Sequence, residues 1–396
     1  MATVHGPVRT VPGQWIVRLK PYATSNLQAK HLSLVNERTA DATSFDCKVT
    51  HQYNFDEARG YAAYFDDATK EQIEKLSEVA SVEPVQLYKH CEVAVNDVPW
   101  GLARLSSYSK LAGTSGPYTY KYNEEAAGQG VVAYVLDTGI NDKHVQFEGR
   151  ASRGQKFVTR PRPGVITDDN DHQGHGTHCA GTIGSKDYGV AKKVSIVGIK
   201  VFNDLPPEDK MAGATTTDIL AALEHVVEEY RRHGKPSVVN LSLGGGPSET
   251  LDNAITATVR AGVVVCCAAG NETSPVETTS PARSPLALTV AASGINDEIA
   301  PWSNYGALVD IIAPGMAIKS TWIGPQNNET NTISGTSMAC PHVVGVAATI
   351  LSNAALKSKT PFDVASELLV LADKNKIYGI DGIKGRTVDA VAHVAI

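Results

Sequence analysis

Residues 131–140 read VVAYVLDTGI, a continuous apolar run that stops at an aspartate and a glycine. Uninterrupted apolarity over this length predicts a strand that is buried on both faces, as in a parallel sheet covered by helices. Further runs of this kind follow, and helix-like segments separate most of them: 194–202, 237–243, 262–269 and 286–292. The pattern therefore predicts an α/β fold with a mostly parallel sheet and helices on both faces.

The first 92 residues have a different organisation. Apolar alternation and helical spacing predict the order β-α-β-β-α-β, which is the ferredoxin-like arrangement. The expected elements are a strand at 14–19, a helix around 24–40, strands near 48–54 and 59–65, a helix at 68–80 behind the capping residues Asp66 and Asp67, and a strand at 81–88. We therefore expect two domains, a small α+β unit at 1–92 and a larger α/β unit at 93–396.

Composition and charge narrow the possible partners. The chain has 396 residues, a hydrophobic fraction of 42% and a net charge of −6, without a cluster of Lys and Arg. A nucleic-acid partner is therefore not expected, and no apolar stretch approaches the roughly 20 residues of a membrane span. The sequence begins without the apolar core of a secretory signal. We expect a monomer that is intracellular or vacuolar, and the alternative is a secreted protein whose signal has been removed.

The six cysteines show neither paired nor metal-type spacing; they are Cys47, Cys91, Cys179, Cys266, Cys267 and Cys340. Cys266 and Cys267 are adjacent on a predicted strand and therefore point to opposite faces, which makes them poor partners for each other. We expect buried free thiols.

Polar residues follow the predicted strands, where a parallel sheet binds its ligands. Asp137 ends the first strand, and a lone aspartate there could simply cap a turn. Asp-Thr-Gly is also the aspartic-protease signature, but that chemistry needs a second such motif, and the sequence has none. His175 lies between glycines in DHQGHGTHCAGTIGS (171–185), where the spacing of His172, His175 and His178 does not match zinc ligands on one helical face.

Asn271 and Ser337 complete a set of catalytic residue types. Asn271 follows a strand and a glycine, where it could be a turn residue or an amide donor to a developing negative charge. Ser337 precedes a helix-like apolar run in NTISGTSMACPHVVGVAATIL (331–351), so its N–H is a helix N-terminal donor. The order Asp, His, Ser on a parallel-sheet pattern indicates a nucleophile, a general base, an orienting carboxylate and an oxyanion hole.

These stretches strongly resemble the subtilisin-like serine proteases, in particular the proteinase K-like branch. The matching motifs are DTGI (137–140), HGTHCAGTIGS (175–185), SLGGG (242–246), AAGN (268–271), SNYG (303–306) and SGTSMACPH (334–342). The resemblance covers essentially all of 93–396. It implies that Asp137, His175 and Ser337 are catalytic and that Asn271 is the oxyanion donor. An esterase or lipase is disfavoured because no G-x-S-x-G motif surrounds Ser337.

The resemblance also implies the substrate-binding residues. Ser242, Leu243 and Gly244 would form one edge that pairs with an extended peptide, and a second edge would lie near Gly213. The primary specificity pocket would be roomy and apolar, which implies broad cleavage after apolar or aromatic residues; its lining would be Ala268, Ala269 and Gly270.

A structural calcium ion, but no catalytic cofactor, is implied by the same resemblance. Its ligands would be the backbone carbonyls of Pro285 and Ala287 and the carboxylate of Asp310, an all-oxygen set that suits calcium. A salt-bridge role for Asp310 is the alternative. Cys179 matches a free thiol of the branch, next to the histidine.

The N-terminal unit resembles the inhibitor-type propeptide of this family. It would template folding, occupy the active site as an intramolecular inhibitor and be removed by self-processing near Cys91–Val93. A permanent accessory domain is the alternative. For the whole chain, the leading function is a serine endopeptidase that acts on protein and peptide substrates. The alternative is a catalytically silent binding protein with the same fold, which the intact catalytic residues disfavour.

Overall fold

The structure is a computed structural model of the chain. It describes residues 10–21, 23, 31, 48–55, 58–88, 93–94, 99–114, 116–159, 168–206, 208–353, 360–381 and 387–394. The expected helix around 24–40, the thiols of Cys47 and Cys91 and the segment 89–92, which adjoins the predicted domain boundary, lie outside these residues.

The N-terminal unit is an antiparallel sheet with the strand order β2-β3-β1-β4. Its elements are β1 (Thr10–Leu19), β2 (Lys48–Phe55), β3 (Ala58–Tyr64), α1 (Asp67–Glu74) and β4 (Val79–Tyr88). This order is that of a ferredoxin-like sheet, as predicted. One prediction was too long, because the helix expected over 68–80 ends at Glu74. Val79 instead begins β4 and pairs with Leu19, so the last part of the apolar pattern belongs to the sheet.

Asp66, but not Asp67, caps α1. The Asp66 carboxylate accepts a hydrogen bond of 2.8 Å from the Thr69 N–H, whereas Asp67 is the first helical residue. Ile73 on this helix is buried against the sheet. The cap and the buried apolar side chain fix where the helix begins and which face it presents.

The larger unit is built on a nine-stranded sheet with the order β16-β17-β13-β12-β11-β10-β6-β8-β7. The pairs are parallel except for β16 with β17. Its strands are β6 (Val132–Asp137), β7 (Ala151–Arg153), β8 (Ser195–Lys200), β10 (Ser237–Leu241), β11 (Val264–Ala268), β12 (Leu288–Ser293), β13 (Ile311–Pro314), β16 (Asp373–Lys374) and β17 (Ala390–Val391). All five predicted strands are present, each slightly shorter than its apolar run.

Helices connect and cover the strands of this sheet. They are α2 (Trp100–Leu105), α3 (His175–Gly184), α4 (Thr216–His233), α5 (Glu249–Arg260), α6 (Thr336–Ser352) and α7 (Pro361–Leu371). Every residue of α6 is buried, which explains why its sequence is apolar on all sides. The fold class predicted from the sequence is confirmed.

Three short strands lie outside the main sheet: β5 (Val93–Ala94), β14 (Ile318–Thr321) and β15 (Thr330–Ser334), which together form a small antiparallel sheet. A further two-residue strand, β9 (Ala214–Thr215), pairs with the end of β4, with Leu87 opposite Thr215 and Tyr88 opposite Ala214. The N-terminal unit therefore extends a strand onto the larger unit.

Side chains reinforce this contact between the two units. Ser248 donates a hydrogen bond of 2.7 Å to Glu83, and Arg18 forms an ion pair of 2.9 Å with Glu249. The Gln86 amide donates to the Pro247 carbonyl at 2.9 Å. The start of α5 is thus held against β1 and β4.

The cysteines within the described residues are free and buried, as predicted, namely Cys179, Cys266, Cys267 and Cys340. In that same part of the chain, no helix has both the length and the apolar character needed to cross a bilayer.

Candidate active site

Asp137 is the last residue of β6 and is fully buried. Its Oδ1 atom accepts hydrogen bonds of 2.8 Å from His175 Nδ1 and of 2.8 Å from the N–H of Thr138. The strand therefore places the carboxylate at the carboxyl end of the parallel strands, where such sheets bind their ligands. The backbone donor and the imidazole together fix its orientation.

His175 is the first residue of α3, directly after Gly174, which has a left-handed φ of 93°. A side chain at Gly174 would also overlap the indole of Trp322, since a Cβ atom there would lie 2.4 Å from Cε2. Only glycine satisfies both requirements. The glycine before the histidine therefore sets the turn that aims the imidazole at Asp137.

The electrostatic surroundings of His175 favour its protonated form. Burial is the largest single influence and would lower the pKa of the imidazole, but Asp137 and Cys179 together raise the pKa well above its ordinary value. Cys179 lies one turn further along α3, with its Sγ 4.0 Å from His175 Nδ1. Burial raises the pKa of this thiol, which keeps it protonated and poorly nucleophilic.

Ser337 is the second residue of α6 and is fully buried. Its Oγ donates to the Ser242 carbonyl at 3.1 Å, and the Ser242 hydroxyl donates in return to the Ser337 carbonyl at 2.9 Å. The Cys179 thiol also lies 3.5 Å from the Ser337 carbonyl. Thus α3 and α6 meet beside the end of β10.

Asn271 follows β11 by three residues, and its two amide atoms have different surroundings. Its Oδ1 accepts hydrogen bonds from the N–H of Thr336 at 2.9 Å and from the Thr336 hydroxyl at 3.0 Å. Its Nδ2 is buried and has no hydrogen-bond partner among the described residues. The amide is therefore locked in orientation while its donor remains available.

The side chains of His175 and Ser337 are closely packed. Although small residues surround them, both side chains are fully buried in the uncleaved chain. The glycines serve close packing instead, since a Cβ atom on Gly176 would lie 2.1 Å from the Gly139 carbonyl oxygen. Small size at this position is required by the turn after β6.

The predicted substrate-binding residues lie next to these groups. Ser242 and Leu243 are buried directly after β10, and Gly244 follows them. Ala268 and Ala269 are buried at the end of β11. The remaining residue of the set, Gly270, has a φ of 104°.

Gly270 faces polar groups. A Cβ atom there would lie 2.3 Å from Asn304 Nδ2 and 2.7 Å from Glu272 Oε2. The Asn304 amide donates to the Ala269 carbonyl at 2.9 Å and to Glu272 at 2.8 Å. The surroundings of the predicted pocket therefore include a carboxylate and an amide beside the expected apolar residues.

The proposed calcium ligands lie where β12 and β13 begin. Asp310 accepts a hydrogen bond of 2.8 Å from the N–H of Thr289, and Pro285 and Ala287 immediately precede β12. Burial raises the pKa of Asp310 to about 6. Within the described residues Asp310 has no ion-pair partner. A partly buried carboxylate and two backbone carbonyls form an all-oxygen donor set, which is the kind that fits calcium.

The histidines near His175 have separate surroundings. His178 is buried, with Nε2 2.9 Å from the Ile318 carbonyl, and burial lowers its pKa to about 3. His172 is partly exposed and lies 2.8 Å from Asp168. His172, His175 and His178 therefore do not form a metal site together.

Two residues that hold the site were missed by the sequence analysis. Asp171 accepts hydrogen bonds from the N–H of Gly174 at 2.8 Å, from the N–H of Thr177 at 3.0 Å and from the Thr138 hydroxyl at 2.8 Å. An aspartate ahead of a helix start is a capping signal that could have identified it. Thr336, which anchors Asn271, carries no comparable signal because its partner is distant in sequence.

Comparison with known proteins places this arrangement in a family. The model of the subtilase family matches residues 128–385, and that of the peptidase inhibitor I9 family matches residues 14–90. A subtilase-type proteinase of the sexual differentiation process of Schizosaccharomyces pombe is 45% identical over 306 residues. That match covers 77% of this chain and 62% of the relative, so the chain spans less than two thirds of that relative.

Two further similarities cover more of the matched protein. Subtilisin-like protease 8 of Arthroderma otae is 36% identical over 407 residues, covering 94% of this chain and 80% of the relative. The crystal structure of a cold adapted subtilisin-like serine proteinase aligns with a TM-score of 0.64 and 37% identity, covering 76% of this chain and 99% of that chain.

The fold and these matches define the class of the protein, a serine endopeptidase made as a zymogen with an inhibitor-type propeptide. The chain belongs to the subtilase family.

Proposed function

We propose that Ser337 is the nucleophile of this endopeptidase, His175 its general base and Asp137 the residue that orients the base. The observation that carries this assignment is the 2.8 Å hydrogen bond between Asp137 Oδ1 and His175 Nδ1. It holds the imidazole with Nδ1 protonated, so that Nε2 is the atom that can accept a proton. Ser337 lies on the helix that packs against the one bearing His175.

The reaction begins when the Ser337 hydroxyl leaves the Ser242 carbonyl, to which it donates in the uncleaved chain. Rotation about its Cα–Cβ bond directs Oγ to His175 Nε2, which takes the proton as Oγ attacks the scissile carbonyl. The imidazolium is stabilised by Asp137 and then gives the proton to the leaving amine. Water then hydrolyses the acyl-enzyme. His175 takes a proton from the attacking water and returns it to Ser337 Oγ as the acyl group leaves.

The oxyanion would be held by Asn271 Nδ2 and the Ser337 N–H. Both are donors in a water-poor environment, and neither needs to reorganise, because Thr336 fixes the Asn271 amide. The Ser337 N–H belongs to the first turn of α6, where N–H groups have no intrahelical acceptor.

Peptide substrates would bind as an extended strand between two edges, 242–244 and 213–215. The pairing of β4 with β9 supports this proposal, because a strand of the propeptide already uses the second edge. We propose cleavage after apolar or aromatic residues, with Ala268, Ala269 and Gly270 lining the pocket.

The propeptide would act as inhibitor and as first substrate. Tyr88 pairs with Ala214 on one side of the predicted cleavage segment, and Val93 pairs with Ser334 on the other, three residues before Ser337. The described residues that flank segment 89–92 are therefore both paired with strands of the larger unit. These two contacts support the proposal of self-processing near Cys91–Val93.

A calcium ion bound by Pro285, Ala287 and Asp310 would join the starts of β12 and β13. It would neutralise the partly buried Asp310 carboxylate and supply rigidity, with no part in bond cleavage.

Hydrolysis of a peptide p-nitroanilide by the matured enzyme tests the assignment. We expect a serine-directed sulfonyl fluoride to abolish it. Ser337→Ala should be inactive and should remain full length after expression, whereas Ser334→Ala, on the neighbouring strand, should mature. A Ser337→Ala chain that matures alone would contradict self-processing.

A further inference from the structure

Asp168 and His172, on the loop that leads into α3, come together with Asp204, which follows β8. Each contributes one ligand atom, and these atoms all lie within 4.8 Å of one another. None of the three has a role in the proposed catalysis or in substrate binding. We propose that they form a binding site for a divalent transition metal, for which zinc is the best candidate.

The buried carboxylate of Asp204 is the observation that points to a bound cation. Its side chain is only 6% exposed, and its Oδ2 is buried without a hydrogen-bond partner among the described residues. Lys200 binds the other oxygen, Oδ1, at 2.7 Å, and it also donates to the carbonyls of Thr138 at 2.7 Å and Asn170 at 2.9 Å.

Lys200 therefore cannot serve Oδ2, because an ammonium has three donors and all three are engaged. A buried carboxylate oxygen without a donor is unfavourable. A metal ion facing Asp168 and His172 would supply the missing partner.

His172 and Asp168 form the solvent side of the proposed site. Their side chains are 40% and 41% exposed, and His172 Nε2 lies 2.8 Å from Asp168 Oδ1. A metal would take the place of the proton shared by these atoms, with a small separation of the two side chains. Their exposure gives the ion an entry path and room for a water ligand.

The donor set selects the kind of metal. One imidazole nitrogen and two carboxylate oxygens suit zinc, which binds such ligands in tetrahedral sites and accepts water as a fourth ligand. Calcium and magnesium prefer oxygen alone, so the imidazole works against them.

Binding at this site would stabilise the turn beneath the catalytic residues. Lys200 connects Asp204 with the Thr138 carbonyl, and Asp171 connects the Thr138 hydroxyl with the start of α3. A metal that joins segment 168–172 to Asp204 therefore braces the turn after β6. We expect thermal stabilisation of the chain by the metal rather than a new chemical step.

The test uses the full-length Ser337→Ala chain, which avoids self-digestion, freed of metal by dialysis and titrated with Zn²⁺ in a calorimeter. We expect one zinc ion per chain and a rise in melting temperature. His172→Gln should weaken zinc binding by at least about tenfold and remove the thermal shift. His233→Gln, a matched change at a histidine outside this cluster, should leave both unchanged.

Two outcomes would overturn the proposal: absence of zinc binding, or zinc binding that His172→Gln does not change. Replacing Zn²⁺ by Co²⁺ then distinguishes the possible locations of the bound ion. A thiolate-to-cobalt charge-transfer band would place the ion at Cys179 instead. His172 is exposed, so its replacement leaves the fold intact and the result interpretable. Asp204→Asn gives a second measurement, with weaker zinc binding expected and unchanged binding counting against the site.

Discussion

The surroundings of Asn271 lead to a graded prediction about catalysis. Its Nδ2 is buried and lacks a partner among the described residues, while its Oδ1 is held by two donors of Thr336 at 2.9 and 3.0 Å. Asn271→Leu removes the oxyanion donor and preserves side-chain volume. We expect a loss of about 2.7–4 kcal/mol of transition-state stabilisation, a fall of roughly 10²–10³ in kcat.

KM should change little, because the negative charge that the amide binds exists only in the transition state. Thr336→Val tests how the amide is positioned. It removes the hydroxyl anchor of the amide, a hydrogen bond worth about 0.5–1.5 kcal/mol, and leaves the N–H anchor. It also removes the acceptor of the Gly270 N–H, which lies 3.1 Å from the Thr336 hydroxyl. The expected fall in kcat is therefore about tenfold or less, between those of wild type and Asn271→Leu. Thr336→Ser keeps the hydroxyl and is the matched control.

Steady-state hydrolysis of a peptide p-nitroanilide provides the assay. Each variant precursor is matured by immobilised wild-type enzyme, so that a slow self-processing step does not obscure the measurement. If Asn271→Leu kept kcat within about threefold of wild type, Asn271 could not be the donor that the geometry suggests. A larger loss for Thr336→Val than for Asn271→Leu would refute the positioning argument.

Three further predictions concern calcium, pH and the thiol. A calcium-selective chelator should lower the melting temperature of the wild-type chain but not that of Asp310→Asn, and an equal fall in both would exclude this ligand. Asp137 raises the pKa of His175, and the base must be neutral to act. The acid limb of the kcat/KM profile should therefore move to lower pH in Asp137→Asn, and the plateau should be much lower. An acid limb at the wild-type pH would contradict this. Bulky thiol reagents should inactivate the wild-type enzyme slowly, because Cys179 is fully buried with a raised pKa. The Cys179→Ala variant should be active and resistant to these reagents. Full activity after complete modification of Cys179 would show the prediction to be wrong.

Much of the fold could be predicted because its signals are local. The apolar run that becomes β6 is buried along its whole length, as continuous apolarity requires in a covered parallel strand. The aspartate before α1 caps it as its position indicates. The prediction of where that helix ends was wrong, because the spacing of apolar residues continues without a break from the helix through a turn into a strand.

Within the site, the sequence alone determined the chemical types of the proposed catalytic groups. An aspartate at a strand end, a histidine behind a glycine and a serine at a helix start are properties of short segments, and each could be read from its neighbours. The structure decided how these segments meet. The roles of Thr336 and Asp204 depend on partners such as Asn271 and His172 that lie far away along the chain or on another loop.

Burial likewise belongs to the tertiary structure. The glycines beside His175 allow close packing against Gly139 and Trp322, which are distant in the sequence. Local sequence fixes backbone conformation and chemical type because these depend on a few neighbouring bonds. Exposure, orphaned polar atoms and pKa shifts depend on which surfaces the whole chain brings together, and only the assembled structure determines that.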